Sequence, residues 1–211
     1  MGRADALNPS RHKGGHPPLS CAELPLETVA LARFLIGKIL VREMAEGAAS
    51  GRIVETEAYV VGDPAGHAYP GKTLRNRALF LERGRAYVYL AYGVSFMLNV
   101  SSERAGVGAG VLIRAIEPSL GVAIMERNRG IERVRDLARG PGRLCEALAV
   151  DRRLDGIDLC HLGQLWLASD GQATDEIGRS KRIGITRAPD SPLRFYLRGN
   201  RFVSGPQALN Q

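Results

Sequence analysis

A chain of 211 residues can hold one sizeable hydrophobic core, and nothing in its composition shifts midway to mark a second domain. Hydrophobic residues make up 45% and charged residues 24%, ordinary globular values that exclude a mostly disordered chain. The balance of 29 Lys plus Arg against 22 Asp plus Glu gives a net charge of +7, which suits a polyanionic partner but equally fits a charge that only aids solubility.

Residues 1–20, with Arg3, Arg11, Lys13 and the Pro17-Pro18 pair, read as a flexible basic arm ahead of a single domain over 21–211. From Leu26 to Leu35 apolar residues recur at helical spacing, with Gly37 at the position of a helix C-cap. The β-prone run 38–42 and the alternating run Gly51–Tyr59 predict a hairpin turning near Gly47. Residues 62–76 are dense in Gly, Pro, Asp and Asn and form a loop carrying His67. Two further β-type runs, 85–90 and 96–100, are joined across Tyr92 and Gly93, a second hairpin with an aromatic at its tip. Val111–Glu117 reads as a buried strand holding one arginine, Arg114, with Pro118 ending it before a helix around 119–128. Gly140-Pro141-Gly142 opens a helical run at 143–149, and the amides there suit either an anion or a plain helix cap. Late strands fall at 164–168 and 193–198. The fold class predicted is α+β, a single domain with a mainly antiparallel curved sheet, flanking helices and a protruding hairpin.

Cys21, Cys145 and Cys160 are far apart and odd in number, which predicts neither a disulfide framework nor a zinc site. Cys160 and His161 are neighbours and would point to opposite faces in a strand. No apolar run reaches the ~18 residues of a membrane span and no secretory signal is evident, so a soluble, cytoplasmic protein is expected, without membrane association. Neither a dinucleotide fingerprint, a Walker loop nor a serine elbow is present, and no metal or cofactor is predicted.

Chemistry concentrates in a few places. Side chains two apart on a strand share a face, so Glu55, Glu57 and Tyr59 project together. Tyr87 and Tyr89 also share a face, with Asn99 on the returning strand beside them. Alone, these tyrosines fit ordinary packing and His67 reads as a loop histidine. Arg114 in an apolar strand requires a partner.

The run Arg52–Tyr59, the triplet Arg75-Asn76-Arg77, Tyr87–Gly93, Asn99–Ser102, Leu112–Pro118, Gly140–Cys145 and Pro192–Gly199 resemble, in order, the alkyladenine (3-methyladenine) DNA glycosylases of the eukaryotic and bacterial type. The resemblance spans about Leu24 to Ser204. It implies a monofunctional enzyme that flips damaged purines (3-methyladenine, 7-methylguanine, hypoxanthine, 1,N6-ethenoadenine) out of duplex DNA and hydrolyses the N-glycosidic bond. By it Glu57 is the general base, and Arg114 with the backbone carbonyl of Ile183 holds the attacking water. Tyr59, His67 and Tyr89 are stacking walls, Asn99 discourages guanine, and Tyr92 is the minor-groove wedge. Lys72, Thr73, Arg75, Arg77, Gly142 and Arg143 are expected to contact DNA, and the enzyme is expected to be a monomer without cofactor. Ser95 stands where the animal enzymes are aromatic, and the loop before His67 is one residue shorter. A catalytically silent nucleic-acid-binding module would need Tyr92 and the basic residues but not Glu57 and Arg114 together. A small-molecule hydrolase or formyltransferase-like enzyme would need no wedge.

Overall fold

The computed structural model describes residues 16–174 and 176–210; Arg3, Arg11 and Lys13 of the basic arm lie outside them. Among the described residues four short α-helices flank one antiparallel sheet. In chain order the elements are α1 (Thr28–Leu35), β1 (Ile39–Met44), β2 (Gly47–Tyr59), β3 (Ala86–Ala91), β4 (Ser95–Ser101), β5 (Gly110–Leu120), α2 (Val122–Arg129), α3 (Val134–Leu137), α4 (Pro141–Ala147), β6 (Leu165–Ala168), β7 (Ile177–Ser180) and β8 (Arg194–Leu197). The strand order is β3-β4-β5-β2-β1-β6, with β8 paired to β2 and to β7. This is the α+β architecture the sequence predicts.

The sheet curls around β2. One edge of β2 pairs with β5 from Ser50 to Tyr59, whereas the other edge takes β1 along residues 47–52 and β8 along 55–57. At the change of partner the register with β5 shifts twice. Val54 is left over between the pairs Ile53–Ile116 and Glu55–Ala115, and Arg114 between Ala115 and the pair Thr56–Ile113. Such bulges sharpen the local twist and re-aim side chains. On one side of β2, Thr56 donates to the Ala32 carbonyl of α1 (2.9 Å). That helix starts on Glu27, whose carboxylate accepts from the Val29 and Ala30 amides, and buries Leu31, Ala32 and Leu35 completely. Each of these leucines contributes roughly 1.5–3 kcal/mol. The opposite side of β2 carries Glu55 and Glu57.

Four expectations change. Pro118 does not end β5, which runs to Leu120; the ladder already slips between Ser50 and Gly51, opposite Pro118, so a residue without an N–H is tolerated there, and α2 begins only at Val122. The strand β7, sequence IGRS, and the single-turn α3 were not anticipated, because neither carries a periodic apolar pattern; β7 forms on the edge that β8 offers. Residues 16–20 belong to the packed body: the Leu19 amide donates to the Leu167 carbonyl (2.8 Å), and the indole of the fully buried Trp166 donates to the His16 carbonyl (3.0 Å). That same excursion brings Cys21 to Cys160, 139 residues away, and the two are paired as a disulfide with their Cα atoms 5.3 Å apart. Separation along the chain therefore misled the reading of the cysteines; only Cys145, which is buried, is free among the described residues.

Trp166 joins the sheet to the N-terminal segment. Trp166→Ala is expected to cost about 3–5 kcal/mol of stability, read by denaturant unfolding, and to open the chain near Leu19 to limited proteolysis before the remainder of the domain is cut.

Candidate active site

Two bulges and a row of paired residues assemble the site. Tyr87, Asn99, Leu112, Glu57 and Arg194 lie side by side across β3, β4, β5, β2 and β8. Beside this row a cleft of about 750 Å³ opens, lined by Tyr59, His67, Tyr87, Tyr89, Asn99, Leu112, Arg114 and Ile183 among others. The sequence-predicted catalytic and base-contacting residues thus converge from β2, β3, β4, β5 and two loops.

Glu57 lies fully buried just behind Tyr59, Arg114 and Ile183. Its Oε1 accepts from the Ile183 amide (2.7 Å) and lies 3.2 Å from Arg114 Nη1, and its Oε2 accepts from the Tyr59 hydroxyl (3.0 Å). A carboxylate offers about four acceptor positions, so one remains open. Ile183 acts here through its N–H, a contact not foreseen in the sequence. Tyr59 likewise combines its ring in the wall with a hydroxyl that orients Glu57; burial and the adjacent Glu57 push its ionisation far up, so it stays a donor.

Glu55, the neighbouring carboxylate on the same face, has a different environment. It accepts from Arg114 Nε (2.9 Å), Arg194 Nε (2.6 Å) and the Ser204 amide (2.7 Å), and both Glu55 and Arg194 are fully buried. Burial alone would raise its carboxyl, but Arg114 and Arg194, with Ser204, hold it below the ordinary carboxylate value. Glu55 is therefore consumed in fixing Arg114, whose other end is presented to Glu57. Arg194 was not singled out in the sequence; an arginine inside the short apolar run LRFYL was its only signal.

The aromatic wall is an interlocked set. Tyr87 and Tyr89 stack with centroids 5.3 Å apart, His67 lies 4.3 Å from Tyr89, and His67 Nδ1 is 2.9 Å from the Tyr87 hydroxyl. Burial, and then the Arg75 cation, hold the His67 imidazole below its ordinary pKa, so it is neutral near pH 7. Burial, and then the neighbouring Tyr89, push Tyr87 up to about 12, while burial, and then the Glu57 carboxylate, push Tyr89 up to about 12. The His67 loop is held by Asn76, which is nearly inaccessible and donates to the His67 and Gly71 carbonyls (2.8 and 2.9 Å) while accepting from Thr73. Asn99 donates to the Tyr87 carbonyl (3.2 Å) at the cleft floor.

Around the rim, Thr73 and Arg75 line the cleft and Tyr92 reaches it from the hairpin tip, 94% exposed. Tyr92 (φ 51°) and Gly93 (φ 71°) both occupy the left-handed region, and the Val94 amide closes the turn on the Ala91 carbonyl (3.0 Å), the geometry that two-residue hairpin turns require. Gly142 packs so tightly on Ser95 that a Cβ there would come within 2.9 Å of the serine Cβ, and Arg143 beside it is half exposed. Lys72 and Arg77 are not brought to the cleft; they line a separate depression with Leu81 and Gly156.

The methylpurine-DNA glycosylase (MPG) family model matches residues 23–201. Proteins bearing the name "Putative 3-methyladenine DNA glycosylase" are similar along nearly their whole length. That of Mesorhizobium japonicum is 64% identical over all of both chains. That of Paraburkholderia phytofirmans is 50% identical over 91% of this chain and 90% of its own, and that of Rubrobacter xylanophilus is 47% identical over 83% and 92%. The chain belongs to the methylpurine-DNA glycosylase family: it is a hydrolase of DNA repair that acts on alkylation damage in DNA. Among the described residues no helix is long and apolar enough to cross a membrane.

Because Glu55 is the buried counter-charge of two arginines, Glu55→Gln is expected to destabilise the fold by about 3–5 kcal/mol, the usual cost of removing one partner of a buried pair. Thermal unfolding measures it, and an unchanged midpoint would contradict the assignment of Glu55 as the anchor of Arg114.

Proposed function

We propose that this glycosylase flips alkylated or deaminated purines from duplex DNA, among them 3-methyladenine, 7-methylguanine, hypoxanthine and 1,N6-ethenoadenine, and hydrolyses the N-glycosidic bond with a water activated by Glu57. The observation that carries this reading is the buried Glu57 carboxylate, oriented by Ile183, Arg114 and Tyr59, all three of which line an aromatic cleft. Chemistry on a base inside a duplex is blocked by its neighbours, so the base must leave the stack, at a cost that falls for damaged or mispaired bases. Tyr59, His67 and Tyr89 receive its faces, while Tyr92 enters the minor groove and occupies the gap. Phosphates are contacted by Arg75 and Arg143, the Thr73 hydroxyl and the Gly142 backbone, with Lys72 and Arg77 reaching the strand farther out.

In this mechanism Arg114 and the Ile183 carbonyl hold the water, Glu57 takes its proton, and the glutamate charge stabilises the sugar cation that develops as the base departs. A purine alkylated at N3 or N7 already carries positive charge and leaves readily, so positioning the water is most of the task. Asn99, fixed by its bond to the Tyr87 carbonyl, keeps the exocyclic amino group of guanine out of the cleft floor.

Glu57→Gln retains the shape and loses basicity and charge. Single-turnover excision should fall by ~10²–10⁴-fold or more, with lesion-DNA affinity within a few-fold of wild type; near-normal excision by this variant would remove Glu57 from the chemistry. Asn99→Ala should raise excision of mismatched guanine relative to hypoxanthine, measured as alkali-sensitive abasic sites, and an unchanged ratio would place the discrimination elsewhere.

A further inference from the structure

A second buried ion pair stands behind the cleft and is not used by the mechanism above. Arg182 and Asp63 have almost no exposed surface, and the guanidinium engages both carboxylate oxygens of Asp63, with Nη2 3.2 Å from Oδ1. Arg182 Nη1 also donates to the Ala58 carbonyl of β2 (3.1 Å), and its guanidinium carbon sits 4.6 Å from the centroid of the Tyr59 ring. Tyr59 lines the cleft and Arg182 does not, so the cation covers the back of the ring. The Asp63 carboxylate in turn accepts from the Ala65 amide (2.9 Å), on the loop leading to His67. One guanidinium thus joins the end of β2, the His67 loop and the segment carrying Ile183.

We propose that Arg182, held by Asp63, is a positioning residue of the base slot whose charge on the back of Tyr59 tilts the slot towards neutral purines and away from positively charged ones. The proposal rests on Tyr59 being a stacking wall, as read above. A buried ion pair is seldom more stabilising than apolar side chains of the same volume, and Arg182 Nε has no acceptor among the described residues, so net stability is a poor account of its presence. Its consequence for the ring is direct. The negative face of an aromatic attracts cations; a guanidinium on one face draws ring electron density towards itself and leaves the other face less attractive to a cation. A base bearing a methyl group at N7 is positively charged and loses part of that attraction, whereas hypoxanthine, being neutral, does not. Asp63 offsets part of the Arg182 field and sets how strong the bias is.

The test is the ratio of single-turnover excision of 7-methylguanine to that of hypoxanthine, each measured in the same duplex. Arg182→Met combined with Asp63→Asn removes both charges, and the ratio should move towards 7-methylguanine by about 3–10-fold, the size expected of a cation–π contact of ordinary strength. Asp63→Asn alone leaves the cation uncompensated and should move the ratio in the opposite direction. Arg182→Lys keeps the charge but not the fork, so it should lower both rates and leave the ratio within about twofold, the scale of a weak contact. Should the double variant fail to fold, the two single variants still decide. A purely structural role lowers both rates by a common factor in every variant, and that result overturns the proposal. Failure of the underlying reading looks different: Tyr59→Ala would then lower excision of both lesions no further than Tyr59→Phe, which keeps the ring and loses only the hydroxyl bonded to Glu57, whatever the Arg182 variants do.

Discussion

The site depends on charges kept away from water. Glu55, Arg114 and Arg194 are almost completely enclosed, and in a low-dielectric interior each is tolerable only because the others complete it. Glu55 takes three donors and thereby fixes Arg114, leaving the Nη1 end of that guanidinium to face Glu57. Two adjacent carboxylates on one strand acquire different tasks through their partners alone. The bulges at Val54 and Arg114 make this possible, since a regular ladder between β2 and β5 would pair Arg114 with a residue directly opposite instead of leaving it over.

Much of this was legible in the sequence. Period-two alternation in β2 placed Glu55, Glu57 and Tyr59 on one face, and the turn chemistry of Tyr92-Gly93 marked the exposed hairpin tip; both are local rules with local causes. An arginine in the apolar run VLIRAIE demanded a partner, but the sequence alone did not show that it has two. What remained hidden arises from contacts between distant segments. Arg194 meets Glu55 across 139 positions and Arg182 meets Asp63 across 119, separations over which spacing carries no information. The Cys21–Cys160 pair, 139 positions apart, is hidden for the same reason, whereas the strand β7 is hidden because its single apolar residue gives no period to read. Lys72 and Arg77, though close to Arg75 in sequence, line a depression beside the cleft and not the cleft itself.

The cleft also separates two kinds of rigidity. Its inner wall rests on the sheet, where Tyr87, Asn99, Leu112 and Glu57 are neighbours in the hydrogen-bonded ladder. Its outer wall rests on a loop with no regular structure, and that loop is made definite by side chains: Asn76 spans it from inside, and Asp63 fastens its start. Precision on the loop side therefore comes from a few polar contacts, each replaceable by a single mutation, whereas the sheet side is distributed over many.

The turn at the hairpin tip has an implication for how the sequence can drift. Left-handed backbone suits Gly or Asn, and a bulky residue there carries a cost of order 1 kcal/mol. Tyr92 bears that cost while 94% of it is exposed, so in the free protein nothing about folding rewards a tyrosine at this position. A population selected only for thermostability would replace it by Asn or Gly without penalty, and a designer guided by stability would do the same. An exposed ring that folding does not reward is what the wedge role proposed above calls for.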